Sequence, residues 1–456
     1  MREKLHSFVP FLLLALLPSV CLAQRVVTLA ECQELGAQYD PEVKSARLDL
    51  KSALAQRAEA RWEYVPRISL SSVGYYALRP LVRIEPQDIL EGYWADVVSR
   101  MVTDAAYQAG ITPWYEGFRS GWAAMALAMQ PLYVGGRIAN GNRLADLGVR
   151  ASELQLTIKQ RETAATIEQK YRLAVSLQEK MLTLDKAQEV LDSLERDASA
   201  AVEAGLVTDS DLLQVRLKKR ELSSGHLQLR SGLKLAKMDL FNAIGFEYAY
   251  LEINSYVLEE DSFAELEAPN HYFSPEAENR VTEQSRLLAM QVEAGRLQKK
   301  MAVGEYLPQL AVGVGYAYYD FVGKRRTESN GLGFATLTIP ITDIGKAAAR
   351  ARRFDSQVEK ARVQQEYLDA QLVLQVLQMR MAVETAWEQL ILADESLHAA
   401  QDAAGKLRVR YEAGQVTMSD LLQAELAVRQ AEEERIDRKM EYNLAVNSYL
   451  RRCGKL

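Results

Sequence analysis

The chain has 456 residues, 48% of them apolar and 25% charged, with 12 prolines, a composition that excludes a disordered tract or a collagen-like repeat. Its net charge of −6 gives no electrostatic footprint for nucleic acid. His6, His226, His271 and His398 are scattered, as are Cys21, Cys32 and Cys453. No zinc, haem or iron–sulfur spacing assembles from them, and no glycine cluster has phosphate-loop or dinucleotide spacing. Neither a cofactor nor an enzymatic activity is expected.

Arg2 and Lys4 precede an apolar run from Phe8 to Leu17, and Cys21 and Ala23 stand at the −3 and −1 positions before Gln24. This pattern predicts a signal peptide over residues 1–23. Lipidation of Cys21 is the alternative, and Pro18 and Val20 stand against it. No later stretch is apolar for long enough to span a bilayer as a helix, so any membrane crossing falls to strands. Cys32 and Cys453 lie at opposite ends of the mature chain. Export permits a disulfide between them, but two separate buried thiols are expected.

The chain then repeats itself. Residues 203–214 recur as 412–423 with ten of twelve positions identical, an offset of 209. The same offset carries Pro131 onto Pro340, Gly136 onto Gly345, Arg137 onto Lys346 and Gly245 onto Gly454. Glu63-Tyr64-Val65-Pro66 returns as Glu305-Tyr306-Leu307-Pro308 at an offset of 242, so the first copy holds 33 extra residues (242 − 209). They are placed at about 80–118. The first repeat spans 24–245 and the second 278–456, joined by an acidic equatorial linker over 246–277.

Each repeat reads as helix, strand, strand, long helix, turn, helix. Residues 42–63 and 276–304 are rich in helix formers and end before Pro66 and Pro308. Period-two alternation through Ile68, Leu70 and Ser72, and through Leu310, Val312 and Val314, predicts strands. Partner strands follow at about 119–130 and 331–339. Residues 137–203 and 346–412 lack proline, and 67 helical residues extend about 100 Å. Leu184, Leu191, Leu194, Ala198 and Ala201 form a coiled-coil seam in the first.

Four membrane strands leave two unpaired edges, which lipid does not tolerate. Two chains would close eight strands and three would close twelve. The long helices favour the larger assembly, which leaves an axial channel.

Three sets of residues now carry a family resemblance across nearly the whole mature chain. They are Thr28-Leu29-Ala30-Glu31-Cys32 followed by Asp40-Pro41-Glu42; Gln130-Pro131-Leu132-Tyr133-Val134-Gly135-Gly136-Arg137; and the two Glu-Ala-Gly turns. In this order, and with the duplication, they resemble the TolC-like outer-membrane efflux proteins. The resemblance implies a membrane β-barrel plus a long α-helical coiled-coil barrel. Each internally duplicated protomer would give four strands, and a homotrimer would form a 12-stranded barrel in the outer membrane of a Gram-negative bacterium. It also implies a passive exit duct fed by an inner-membrane efflux or secretion pump through a periplasmic adaptor (membrane fusion) protein, with outer-membrane lipid around it and no nucleic acid. The alternative is a periplasmic coiled-coil adaptor or scaffold without a barrel of its own, which leaves the four strands unexplained.

The turns carry the candidate site. Gly205 and Gly414 suit the left-handed position that ends a helix. Thr208 with Asp211, and Thr417 with Asp420, have N-cap spacing. The resemblance implies that Asp420 narrows the closed periplasmic entrance, with Gln423 where the family carries a second acid. Three copies of Asp420 on one axis would repel, raise one another's pKa and attract cations. The resemblance also matches Tyr411 and Asp211 to a closed-state lock. Its usual arginine position is Val416, and Arg408 or Arg410 are the substitutes within reach. Hairpin tips of the family dock the adaptor, which here points to Gly205, Val207, Gly414 and Val416. Val207 and Val416 are expected to be exposed, and Leu212, Leu213, Leu421 and Leu422 mostly to pack in the core.

In the insertion, Ile89, Leu90, Tyr93, Trp94, Val97, Val98, Met101, Val102 and Ala105 follow helical spacing, predicting one amphipathic helix over 88–107. Trp114, Tyr115 and Trp122 suggest an interfacial aromatic girdle.

Overall fold

The computed structural model describes residues 25–113, 115–117, 119–205, 208–245, 256–259, 266–274, 282–320 and 328–455. The predicted signal peptide, Cys21, Trp114, Val207 and most of the linker lie outside them. In chain order the elements are β1 (Arg25–Val27), α1 (Leu29–Tyr39), α2 (Pro41–Trp62), β2 (Arg67–Tyr76), β3 (Val82–Ile84), α3 (Pro86–Ile89), α4 (Ala95–Gln108), β4 (Tyr115–Gly117), β5 (Ser120–Val134), α5 (Arg137–Glu203) and α6 (Asp209–Ala243). There follow β6 (Tyr256–Leu258), a single 3-10 turn at Pro269–His271, α7 (Glu283–Gly304), β7 (Gln309–Asp320), β8 (Glu328–Thr338), α8 (Ile344–Glu412) and α9 (Met418–Arg452). Helices α5 and α8 run unbroken for 67 and 69 residues. Among the described residues no helix is long and apolar enough to cross a membrane.

The chain divides into two compact units. One holds residues 51–151 and 288–364, and the other the remainder.

In the strand-bearing unit, β2, β5, β7 and β8 form one antiparallel sheet in that order. The two hairpins, one from each repeat, meet where β5 pairs with β7 over the register Trp122↔Asp320 to Val134↔Gln309. The ladder shifts between Pro131 and Tyr133, where Pro131 has no N–H to donate and Leu132 is the extra residue of a bulge. Gly313 stands opposite Phe334, and a Cβ at Gly313 would sit 2.5 Å from the Phe334 ring. The missing side chain is what lets the ring lie flat on the strand.

Just beyond the sheet, Gly135 has φ +65°, and a Cβ there would stand 1.9 Å from the Gly304 carbonyl oxygen. The two repeats thus touch backbone to backbone at this point, where the chain leaves β5 for α5.

The insertion holds β3 paired with β4 and two helical pieces in place of one. Leu90 is extended and Gly92 has φ +110°, so the helical hydrogen bonds stop between α3 and α4. The apolar period continues through this break, which is why spacing alone read it as one helix.

The other unit is a helical bundle with three cores. Leu184, Leu191, Leu194 and Ala198 of α5 are buried against Val215 and Leu222 of α6 and Met418, Leu421 and Leu422 of α9. Val376, Val383, Ala386 and Leu390 of α8 meet Tyr442, Val446, Tyr449 and Cys453 of α9. Cys32 belongs to a third cluster with Val27, Ile167, Tyr171 and Leu240. No disulfide joins Cys32 to Cys453, because each thiol is buried in its own core. Burial, and then the negative charge of Glu31, pushes the Cys32 thiol up to about 12. Strands β1 and β6 pair in parallel, and Tyr171 Oη lies 2.9 Å from the carbonyl oxygens of both Val27 and Glu259, next to that ladder. Glu168, itself buried, accepts hydrogen bonds from Asn447 and Arg451 and so ties α5 to α9.

Gly135→Ala tests the backbone contact between repeats. The left-handed conformation alone costs a non-glycine residue about 1–2 kcal/mol, and the clash with Gly304 adds to it. The thermal midpoint should fall clearly, whereas Gly148→Ala, with open space around it, should leave it unchanged or slightly raised.

Candidate functional site

The sheet has two chemically different faces, set by its register. Ile68 and Leu70 align with Ala128 and Ala126, then with Val314 and Tyr316. This face is aliphatic and aromatic, yet Ile68 and Leu70 are 79% and 82% exposed. Trp122 lies on it, with its ring centroid 5.5 Å from that of Tyr318. The opposite face carries Arg67, Ser69 and Ser71, then Met129, Leu127 and Met125, and Thr336 and Thr338 farther across. That second face overlooks a cavity of about 590 Å³, lined by Arg67, Met129 and Thr336 together with Asn142 and Met301 from helices α5 and α7. Strands β2 and β8 are the sheet's edges and have no outer partner among the described residues.

The hairpin turns are built as their sequence dictates. At the second, Gly414 has φ +70°, its N–H donates to Tyr411 O at 2.9 Å, and Gln415 N–H reaches Arg410 O at 2.9 Å. Thr417 then caps α9. Its Oγ1 accepts from Asp420 N–H at 3.2 Å, while Asp420 Oδ2 accepts from Thr417 N–H at 3.0 Å and from its hydroxyl at 2.7 Å. These bonds, the hydroxyl one first, hold the Asp420 carboxyl below its usual value. At the first turn, Gly205 has φ +71°. Asp211 Oδ2 there accepts from Thr208 N–H at 3.2 Å and from its hydroxyl at 2.9 Å.

Asp420 and Gln423 are both exposed, one helical turn apart, on the side of α9 away from buried Leu421 and Leu422. Gly205 and Gly414 are exposed at the tips, whereas Val416 is half-buried. Leu213 is 61% exposed. One residue is a rotation of about 100° on a helix, and Val215 and Leu222 take the inward positions of α6.

Of the predicted lock, Tyr411 is half-buried against the tip core. Burial, followed by the charges of Asp211 and Asp197, pushes its hydroxyl upward in pKa. Asp211 accepts hydrogen bonds from Thr208, and none joins it to Tyr411. Arg408 is taken by an ion pair with Glu425. Arg410 is exposed and in no ion pair among the described residues. Glu425 went unread in the sequence, although a signal existed. Residues 408 and 425 stand nearly equidistant from the turn with opposite charge, as do Glu195 and Arg216, 2.9 Å apart in the first hairpin.

Residues 286–451 match the family model of the outer membrane efflux protein. That match lies within the second repeat. No curated protein matches the sequence, but solved structures do. The outer membrane protein VceC from Vibrio cholerae is 14% identical with a TM-score of 0.72, over 93% of this chain and 96% of that one. The outer-membrane channel OprN is 15% identical with a TM-score of 0.73, over 93% and 89%. The CmeC outer membrane channel of Campylobacter jejuni is 14% identical with a TM-score of 0.73, over 93% and 85%. Both repeats thus share one known fold with these proteins, and the TolC-like resemblance of the sequence holds at that level.

The cap chemistry gives a signed pH dependence. Because folding depresses the Asp420 pKa, its stabilising contribution is present above the ordinary carboxylate range, about pH 4, and is lost as pH falls through the folded value. Thr417→Ala removes the hydroxyl partner. The thermal midpoint of the variant should be lower than wild type at pH 7, and the gap should narrow by pH 3. A gap that does not depend on pH would contradict this account.

Proposed function

We propose that this protein is a passive, trimeric outer-membrane duct. In this reading it takes cargo from an inner-membrane pump through a periplasmic adaptor and releases it outside the cell. The observation that carries the reading is the four-stranded sheet with an exposed apolar face and two open edges. Such a sheet is stable in hydrocarbon only if neighbouring copies pair with its edges and close a barrel. Three copies supply twelve strands. The aliphatic face of Ile68, Leu70, Val314 and Tyr316 then meets lipid, and the face of Arg67, Ser69 and Thr336 lines the lumen. The family match to an outer membrane efflux protein and the fold shared with outer-membrane channels support the same conclusion.

The long helices form the periplasmic tunnel. Asp420 and Gln423, exposed on one face of α9, are the constriction, with one carboxylate per copy. Tyr411, packed on the tip core, and Asp211 are the half of the family's closed-state lock that this chain keeps, and Arg410 is its cation, since Arg408 is engaged by Glu425. Exposed Gly205 and Gly414, with the half-buried Val416, form the tips that meet the adaptor, and the sequence assigns Val207 to the same role.

Extraction from outer-membrane fractions in detergent should give a particle of three times the mass of the mature chain, and a soluble monomer or dimer would end the proposal. Leu70→Arg should destabilise the assembly by about 2–4 kcal/mol if that residue faces the bilayer midplane, whereas Ser71→Arg on the lumen face should assemble normally. Equal effects at the two positions would contradict the assignment of faces. In planar bilayers Asp420→Ala should reduce the preference for cations over anions; unchanged selectivity would leave Asp420 with its capping role only.

A further inference from the structure

Helix α4 carries an apolar stripe that no described residue of its own chain covers. Trp94 leads into it, and Val97, Val98, Met101 and Val102 follow at helical spacing, all between 40% and 66% exposed. The stripe sits at a defined place. The ladder of β2 and β5 ends at Tyr76↔Ser120, and Ala77 N–H donates to Arg119 O at 2.7 Å beyond it. A short second ladder, Val82↔Gly117 to Ile84↔Tyr115, extends the stalk. The insertion therefore leaves the sheet at the end opposite to α2 and α5. It is also rooted on β2, an edge strand.

Charge decides what covers the stripe. A helix lying on the outer leaflet, whose surface is anionic, needs lysines and arginines on its polar face. Residues 82–108 carry only Arg83 and Arg100 against Glu85, Asp88, Glu91, Asp96 and Asp104, and Arg83 is already paired with Glu85 at 3.1 Å. Such a segment is repelled by that surface. Reach points the same way. Fourteen residues of helix extend about 21 Å, while twelve strands about 4.8 Å apart and tilted by about 40° enclose a radius of about 12 Å. Three helices rooted on the rim are therefore long enough to meet on the axis.

We propose that α4 packs its apolar stripe against the same helix of the two neighbouring copies, forming a plug across the extracellular mouth that must part for cargo to leave. This rests on the trimeric duct reading. It adds a second closure, made of apolar side chains, to the constriction proposed at the tip turns.

The test uses the full chain purified as an assembly and reconstituted in bilayers. Met101→Cys, on the stripe, should form a disulfide between copies on mild oxidation. Arg100→Cys, on the helix surface away from the stripe, should not, and neither should the wild type with its buried Cys32 and Cys453. Val98→Asp combined with Met101→Asp should leave the trimer intact and raise single-channel conductance at least about twofold. A trimer in which the thiol of Met101→Cys stays unlinked, with a bimane label on that thiol quenched by brominated lipid, would place the stripe in the membrane and overturn the plug while leaving the duct standing. A trimer whose conductance ignores the double substitution would overturn it as well. Absence of any trimer would remove the duct reading and the plug together.

Discussion

Everything in the strand-bearing unit follows from the rule that backbone N–H and C=O groups need partners, and that hydrocarbon supplies none. Among the described residues strands β2 and β8 end the sheet with rows of groups that have no ladder partner, while Ile68, Leu70 and Val314 expose an apolar surface that water does not favour. Neither feature is stable in isolation. In the proposed duct they are part of a barrel wall, and the duplication of the chain is a direct way to put four strands on one polypeptide.

Joining two copies of one plan brings constraints of its own. The repeats meet along β5 and β7, and the bulge at Pro131–Tyr133 together with the contact of Gly135 on Gly304 sets how closely the chain can turn from strand into long helix. The tips, by contrast, gain cohesion from side chains. Leu184 and Leu191 of the first hairpin bury the Met418, Leu421 and Leu422 cluster of the second. The two hairpins are therefore bound to one another inside a single protomer, and any motion that opens a tip has to act on this shared core.

Much was legible beforehand because it depends on local chemistry. The cap of Thr417 on Asp420 follows from residues three apart, the left-handed glycines from their place after a proline-free run, and the seam of Leu184, Leu191, Leu194 and Ala198 from its heptad spacing. Other features were not legible. The break between α3 and α4 was hidden because Ile89, Tyr93 and Trp94 keep the helical period across Gly92. The exposure of Leu213 and the half-burial of Val416 depend on which side of each helix meets its neighbours. The pairing of Arg408 with Glu425 was obscured by reading the two sides of the hairpin separately.

By itself the sequence determined the duplicated plan, the element types, the turn chemistry and the alternation that separates an aliphatic sheet face from a mixed one, because each is a matter of neighbours along the chain and of period. Only the tertiary structure decided the strand order β2-β5-β7-β8, the separate burial of Cys32 and Cys453, the assignment of Arg408 to Glu425 and the uncovered stripe of α4. Those depend on which distant segments meet, and that is settled by packing and backbone pairing across the whole chain, to which a local period is blind.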